Sequence, residues 1–373
     1  MKAIILTGGQ GLRLRPFSLR TPKPLLPVAN IPFLLHQFRL LRRHGIREAV
    51  LATAYRPEAF RRAFGDGRRF GLRIRYAYER DPLGTGGAVR NSAAALGLVE
   101  PRGPASGGAA AGSEATLLVL NGDILYDLDL TAFLRFHRRK RAEASIALVS
   151  VNDPTLYGLV ETGKGGRILR FREKPSLNEV NCMSVNAGAY LFEPTVVERI
   201  PPGTPYSLER GLFPSMLEEG RPLYGFATKG YWMDIGTVEK YLQVHLDILS
   251  GAAGEAALGT RPLRRRGAVL WEGKARVSAE AIHDGEGRVL VGAGAAIGPR
   301  VSFSGSVCVG PGCVVEGGAF LSDCVVLARS RIGEGARLSG CVIGQDCVVE
   351  PGASIGPGRA LGDGSIVKSF SQL

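Results

Sequence analysis

No apolar run in the sequence approaches the ~20 residues that a membrane-spanning helix requires. Near the start, the apolar run Ala3–Leu6 is four residues long before Thr7 and two glycines, too short for a signal-peptide core, so a cytosolic protein is expected. None of the six cysteines forms a C-x-x-C pair, which excludes a zinc-ribbon or thioredoxin-like site. Five of them fall in the last third of the chain, where reduced thiols packed as small hydrophobes are expected. Lysine is scarce, nine of the 47 basic residues. A lysine inside a motif is therefore informative, since arginine does not replace its compact point charge at a phosphate. The net charge is +13, but no aromatic residues interleave with the basic clusters at 138–141 and 264–266. Nucleic acid, an acidic surface or an anionic small substrate would each account for the charge, and that pattern disfavours nucleic acid.

What is present is ordinary globular material. The chain has 373 residues, 45% hydrophobic and 22% charged, enough for two or three domains. Up to residue 151, apolar runs alternate with helical patterns. Strands are expected at 2–7, 48–53, 72–78, 116–120 and 145–151. Helices are expected at 31–44, 57–64, 84–96 and 131–140, the first with Asn30 as its N-cap. Such alternation predicts an α/β fold, a mainly parallel sheet covered by helices, with ligands outside the carboxyl ends of the strands. His36 and His137 lie on the helical patterns and read as structural. The stretch 101–115 is rich in Gly, Ala, Pro and Ser and reads as a mobile surface loop.

Near residue 250 the chain changes character. Apolar residues recur at Val291, Ile297, Phe303, Val309, Val315, Leu321, Leu327, Ile332, Leu338, Ile343, Val349, Ile355, Leu361 and Val367. Eleven of the thirteen intervals are six and two are five. A period of six with an inward aliphatic predicts a parallel β-helix. The expected domains are therefore 1–250, a linker 251–267, and a left-handed parallel β-helix over 268–373.

The first strand runs into Gly8-Gly9-Gln10-Gly11-Leu12-Arg13-Leu14-Arg15-Pro16. Glycines there let backbone N–H groups approach a phosphate, although a tight structural turn would use them equally well. Leu14 stands where a dinucleotide fingerprint needs its third glycine, and no GK[ST] follows. Arg13, and then Lys23 held between Pro22 and Pro24, favour the phosphate.

The motifs G-G-x-G-x-R-L-x-P and P-K-P-L-L-P-V resemble the signature of the sugar-1-phosphate nucleotidyltransferases. The likeness continues, in order, through Pro82–Ala88, Asn121-Gly122-Asp123, Tyr157-Gly158, Glu173-Lys174-Pro175, Asn186-Ala187-Gly188 and Trp232–Thr237. Within the family, the branch that transfers guanylyl groups to mannose 1-phosphate is the most similar. Leu12 departs from the pattern, which usually has Thr before the motif arginine.

The resemblance implies a Rossmann-like nucleotidyltransferase domain and a reaction in which nucleoside triphosphate and sugar 1-phosphate give nucleotide sugar and pyrophosphate. It implies Arg13, Lys23 and Asp123 as catalytic residues. Leu6, Gly8, Gly9, Gly11, Gly84, Thr85 and Gly87 would bind nucleotide. Gly158, Glu173, Lys174 and Asn186 would bind the sugar phosphate. Asp123 and Asp234 would hold Mg²⁺. For Asn121-Gly122-Asp123 a plain β-turn is the alternative, and for Glu173 a structural ion pair with a neighbouring arginine.

Its reaction needs no covalent enzyme intermediate, and the motifs hold no Ser-His or Cys-His pairing. Positioning and charge neutralisation would carry the chemistry. A homo-oligomer without nucleic-acid or membrane partners is expected, the repeat serving assembly. The rival readings are a uridylyl- or thymidylyltransferase acting on glucose 1-phosphate, a non-catalytic regulatory or scaffold subunit, and an acyltransferase in the repeat. The last is disfavoured because His283, the one histidine after residue 250, precedes the regular repeat.

Overall fold

The computed structural model describes residues 1–99, 116–254, 257–259 and 261–373, so the 101–115 loop lies outside the described residues. The chain divides into two compact units. One comprises Met1–Gly9 and Gln37–Trp232, the other Gln10–His36 and Met233–Leu373.

The first unit is built on a nine-stranded sheet. Its centre is Lys2–Leu6, a β-branched and aliphatic run buried on both faces, as parallel strands under helices must be. It pairs in parallel with Glu48–Thr53 on one side and Leu117–Asn121 on the other, and Arg73–Tyr78 follows Glu48–Thr53. Beyond these the sheet is mixed. Ser184–Phe192 runs antiparallel to Leu117–Asn121 and to Ala144–Ser150, and Leu223–Ala227 lies parallel to the latter. The hairpin Gly158–Thr162 and Ile168–Glu173 completes the sheet. The core joins Ile4, Val50, Val119, Ile146, Tyr190 and Phe192 to Val89, Leu212 and Phe213. His137 is structural, contacting Ser145 Oγ at 2.8 Å and Glu193 Oε1 at 2.9 Å.

The second unit holds a triangular parallel β-helix of three sheets with seven, six and five strands, consistent with the left-handed form. Its first sheet starts with the antiparallel pair Leu263–Arg266 and Val269–Glu272, and every later pair is parallel. The inward aliphatics are the expected ones with a single exception. Val309 pairs with Val326, and Val326 with Ile343, so Val326 and not Leu327 points into the core. The first five-residue step therefore falls between Leu321 and Val326. Here the stacking of coils decides, since both Val326 and Leu327 are aliphatic and the sequence offers either. Cys313, Cys324, Cys341 and Cys347 lie in the same core with Ala295, Ala319, Ala336 and Ala353. All six cysteines are free. Burial pushes the Cys313 thiol up to about 11 and Cys308 to about 12, which leaves both without nucleophilic thiolate at neutral pH.

The helix expected from residue 31 starts later, at Leu34–Arg43. Pro27–Val28 and Ile31–Pro32 form a short antiparallel pair instead. Between them Ala29 and Asn30 sit at φ 48° and 64°, the left-handed values that a two-residue type I′ turn requires. Asn30 is thus a turn residue and not a helix cap. Nothing in the local pattern separates the two uses of Asn.

Candidate active site

In the first unit, the carboxyl ends of Lys2–Leu6 and Leu117–Asn121 lie side by side, with Leu6 opposite Asn121. Thr7 follows and fixes the strand exit, its hydroxyl donating to the Ala52 carbonyl at 2.7 Å. The Gly122 N–H donates to the Leu6 carbonyl at 2.8 Å. A Cβ on Gly122 would stand 2.5 Å from that same oxygen, so only glycine fits. Asn121-Gly122-Asp123 is therefore a turn, and one that presents the half-buried Asp123 at the strand end. Gln37 holds it from the side, donating to the Asn121 and Ile124 carbonyls at 2.7 and 2.9 Å. Gly188, at φ 70°, makes room for Asn121 Nδ2, which would lie 2.6 Å from a Cβ. Gly8 carries no tight constraint, and Gly9 is open on all sides.

The segment Gly84–Gly87 starts the helix Gly84–Ala95 and packs on Thr204–Tyr206. The N–H groups of Gly86 and Gly87 both donate to the Tyr206 carbonyl. A Cβ on Gly84 or Gly87 would stand 2.8 Å from the carbonyl oxygen of Tyr206 or Thr204. These glycines thus have a packing reason, and Gly84 stays exposed. Thr85 turns inward. Its hydroxyl donates to Glu209 Oε2 at 2.7 Å and accepts from the Leu208 N–H at 2.9 Å.

Glu209, which the motifs did not single out, is the hub of a polar cluster. It sits on a π-helical turn, Leu208–Leu212, a form often found at functional positions. Ser207 donates to Oε2 at 2.8 Å. The fully buried Tyr190 donates to Oε1 at 3.4 Å and accepts from Asn186 Nδ2 at 2.9 Å. Asn186 Oδ1 in turn accepts from the Gly188 N–H at 2.9 Å. Glu173 faces the same cluster. Burial first, and then the neighbouring Glu209, hold its carboxyl above the usual range, with Lys174 opposing. Gly158 pairs with Glu173 across the hairpin, and a Cβ there would meet Glu173 Oε2 at 2.9 Å. Arg172 turns to Glu179 instead of Glu173. Lys174 is exposed, at φ 51°. Trp232 closes this region, donating to the Ala187 carbonyl at 3.0 Å and standing edge-on to Tyr157.

The second unit carries a different cluster. Arg13 lies on the 3₁₀ turn Leu12–Leu14, and Lys23 on the turn Lys23–Leu25 between prolines. Gly11, at φ 64°, lets the Lys23 stem pass 3.1 Å from where its Cβ would be. Lys23 Nζ lies 3.5 Å from Asp234 Oδ1 and Lys240 Nζ 3.7 Å from Oδ2. A Cβ on Gly236 would meet Asp234 Oδ2 at 3.0 Å and Arg13 Nη2 at 3.3 Å. Lys23 and Lys240 thus pair with one carboxylate and Arg13 stands close by across Gly236, leaving a local excess of positive charge suited to a polyphosphate. Lys240 was not legible beforehand. It lies outside the Trp232–Thr237 motif, one turn into the helix Val238–Ser250 that Thr237 caps.

Of the expected residues, Leu6, Asp123, Thr85, Gly158, Glu173 and Asn186 thus fall around the strand ends or the Glu209 cluster. Arg13, Lys23 and Asp234 meet in the other. No group of three or more His, Cys, Asp or Glu side chains of metal-site type occurs among the described residues. No helix among them is long and apolar enough to cross a membrane.

The family model described as nucleotidyl transferase matches residues 2–251, and that of the GMPPB C-terminal domain matches residues 285–370. A mannose-1-phosphate guanylyltransferase of Mycobacterium tuberculosis is 39% identical over 84% of this chain and 82% of its own length. A UTP–glucose-1-phosphate uridylyltransferase of Synechocystis is 34% identical over 91% of this chain and 86% of its own. The crystal structure of HddC from Yersinia pseudotuberculosis shares the fold, with a TM-score of 0.54 at 24% identity, covering 65% of this chain and 97% of that one.

Proposed function

Given a chain that belongs to the nucleotidyl transferase family, we propose that it transfers the guanylyl group of GTP to mannose 1-phosphate, forming GDP-mannose and pyrophosphate. The observation that carries this reading is the pairing of Lys23 and Lys240 with Asp234 and the placement of Arg13 beside them across Gly236, a cluster of cations that a non-catalytic scaffold would not need. A phosphate oxygen of the sugar attacks the α-phosphorus in line, and the bond from that phosphorus to the β-phosphate oxygen breaks. Arg13, Lys23 and Lys240 neutralise the triphosphate and the leaving pyrophosphate. Asn186 and Glu173 accept from sugar hydroxyls, Lys174 meets the sugar phosphate, and Thr85 with its neighbouring glycines lies toward the base.

Asp123 and Asp234 each supply hard carboxylate oxygens, the donor type that Mg²⁺ takes together with waters and substrate phosphates, so the chemistry of each fits that ion. Held by such oxygens, it would add charge stabilisation at the phosphates. The M. tuberculosis and plant relatives named mannose-1-phosphate guanylyltransferase favour this substrate pair. The Synechocystis relative keeps a uridylyltransferase acting on glucose 1-phosphate as the second reading. A homo-oligomer is part of the proposal, since the last coil leaves Ile366 and Phe370 61% and 79% exposed. The test is pyrophosphate release from each common nucleoside triphosphate with mannose or glucose 1-phosphate. Turnover with GTP and mannose 1-phosphate well above all other pairs is expected, and preference for UTP with glucose 1-phosphate would replace the reading.

A further inference from the structure

The segment that bears Arg13 and Lys23 is gripped by residues more than 200 positions away. Across the Ala29–Asn30 turn, the Ala29 N–H donates to His245 Nδ1 at 3.3 Å and the Ala29 carbonyl accepts from Arg261 Nη1 at 2.8 Å. Arg261 is itself paired with Glu272, on the first coil of the β-helix. Asn30 Nδ2 donates to the Val309 carbonyl at 3.0 Å, and Cys308 Sγ donates to Asn30 Oδ1 at 3.4 Å. One strand before the turn, the Pro27 carbonyl accepts from the hydroxyl of the buried Tyr241 at 2.5 Å. At the other end of the segment, Pro16 lies over Gly362 on a late coil. A Cβ on Gly362 would stand 3.1 Å from Pro16 Cβ. Arg20 lies within electrostatic reach of Asp346.

These grips are stiffly connected to the cations. Only three residues separate Lys23 from Pro27, two of them inside a 3₁₀ turn whose Leu26 N–H returns to the Lys23 carbonyl at 3.1 Å. The Phe33 N–H then donates to the Leu26 carbonyl at 2.9 Å, locking the hairpin to the same turn. Ala29 holds φ 48° with no glycine freedom and no side-chain hydrogen bond to favour it, a conformation that surrounding contacts must impose. Those contacts are His245, Arg261 and the Asn30 bonds to the β-helix.

We propose that the β-helix is a positioning element for the polyphosphate-binding loop, with Asn30, Arg261 and Gly362 as the positioning residues that set where Lys23 and Arg13 stand. The proposal rests on the reading of Arg13 and Lys23 as the triphosphate cations. It gives the repeat a role in the chemistry of each chain, beyond any role in assembly. Displacing such charges by a fraction of an ångström weakens triphosphate binding and in-line geometry while leaving sugar recognition, built on the other unit, unchanged.

The test compares full-length Asn30→Gly, Arg261→Ala, Arg261→Lys and Gly362→Val with the parent chain. Asn30→Gly keeps the left-handed turn accessible and removes only the side-chain bonds. Gly362→Val changes nothing in the loop, and Gly362 is not at positive φ, so its backbone tolerates a side chain. Pyrophosphate-release kinetics are expected to show the KM for triphosphate raised ~10-fold in Asn30→Gly, Arg261→Ala and Gly362→Val, with the KM for sugar 1-phosphate within about twofold and the thermal midpoint unchanged. Arg261→Lys should recover part of the loss. Hydrogen exchange of residues 12–26 should quicken in the same three variants. Parent-like triphosphate KM and parent-like exchange in Gly362→Val and Arg261→Ala would overturn the proposal, as would equal changes in both KM values. If the parent releases pyrophosphate from no substrate pair, the functional reading fails alone, and the exchange of residues 12–26 still decides the positioning claim.

Discussion

The two clusters of this molecule use opposite chemistry for their work. In the first unit, one carboxylate, Glu209, gathers the hydroxyls of Thr85, Ser207 and Tyr190, and Glu173 stands beside it partly desolvated. In the second, one carboxylate, Asp234, is paired with Lys23 and Lys240, with Arg13 close by across Gly236. The first arrangement orders neutral donors and acceptors, which suits a ring of hydroxyls. The second has surplus positive charge, which suits phosphates. A carboxylate is common to both, and its neighbours decide what it does. Hydroxyls turn it into a hydrogen-bond hub, while cations turn it into a brace that keeps like charges together.

The comparison can be broken most sharply at Asp123. On the proposed role of Asp123 as a metal ligand, Asp123→Asn should keep the fold and lower turnover ~100-fold or more, as loss of a metal's electrostatic contribution would do. Near-parent turnover in saturating Mg²⁺ would remove Asp123 from the metal set. A mirrored pair comes next. Glu209→Gln should raise the KM for sugar 1-phosphate roughly tenfold with little effect on triphosphate. It should also cost about 1.5–3 kcal/mol of stability, the range for hydrogen bonds to a charged group. Lys240→Ala should do the reverse for the substrates, raising the triphosphate KM several-fold, ~3–10, and sparing the sugar. Two variants that shift both KM values alike would erase the distinction between the clusters.

A third separation lies in pH. His245 is fully buried, accepts from the Ala29 N–H, and is held neutral down to about 3 by burial and by His36 nearby. Its ordinary value of 6.5 applies in the unfolded chain. The unfolded state therefore binds the extra proton first, and stability that is whole above pH 6.5 is lost as pH falls toward 3. The limiting slope is about 1.4 kcal/mol per pH unit. Denaturant titrations at pH 7, 5.5 and 4.5 should show it. His245→Gln should flatten part of that slope, and an unchanged slope would mean that His245 is not the group responsible. The smallest effect is expected at Leu12, 56% exposed on the turn that bears Arg13. Leu12→Thr should alter stability by less than about 0.5 kcal/mol. Any gain should appear in triphosphate kinetics alone, and a change in sugar KM would contradict the placement.

Much of this could be read before the fold was known. The period of six announced the β-helix because each inward aliphatic must repeat where a coil turns, and the alternation of extended and helical patterns up to residue 151 announced the mainly parallel sheet. The motif residues were legible as residues, since glycines just past the first strand and a lysine between prolines are chemical constraints visible in one dimension. Glu209, Gln37 and Lys240 were not. Glu209 and Gln37 act through partners far away in sequence, Thr85 and Asn121, and Lys240 reaches Asp234 from the next element, outside the motif; no local spacing marks any of the three.

The sequence by itself determined the two architectures, because periodicity is a local property: alternating helical and extended stretches in one part, a six-residue step in the other. It also determined which side chains could meet phosphate. Tertiary structure alone decided how those side chains are held. Asn30 reads as a helix cap from its neighbours, yet it is a left-handed turn residue bound to Val309 and Cys308. The inward choice between Val326 and Leu327 depended on the coils above and below. The loop of Arg13 and Lys23 joined the unit of the β-helix although it comes from the N-terminal sequence. Each of these outcomes rests on contacts between residues hundreds of positions apart or on stacking against neighbouring coils, and such contacts leave no period in the chain.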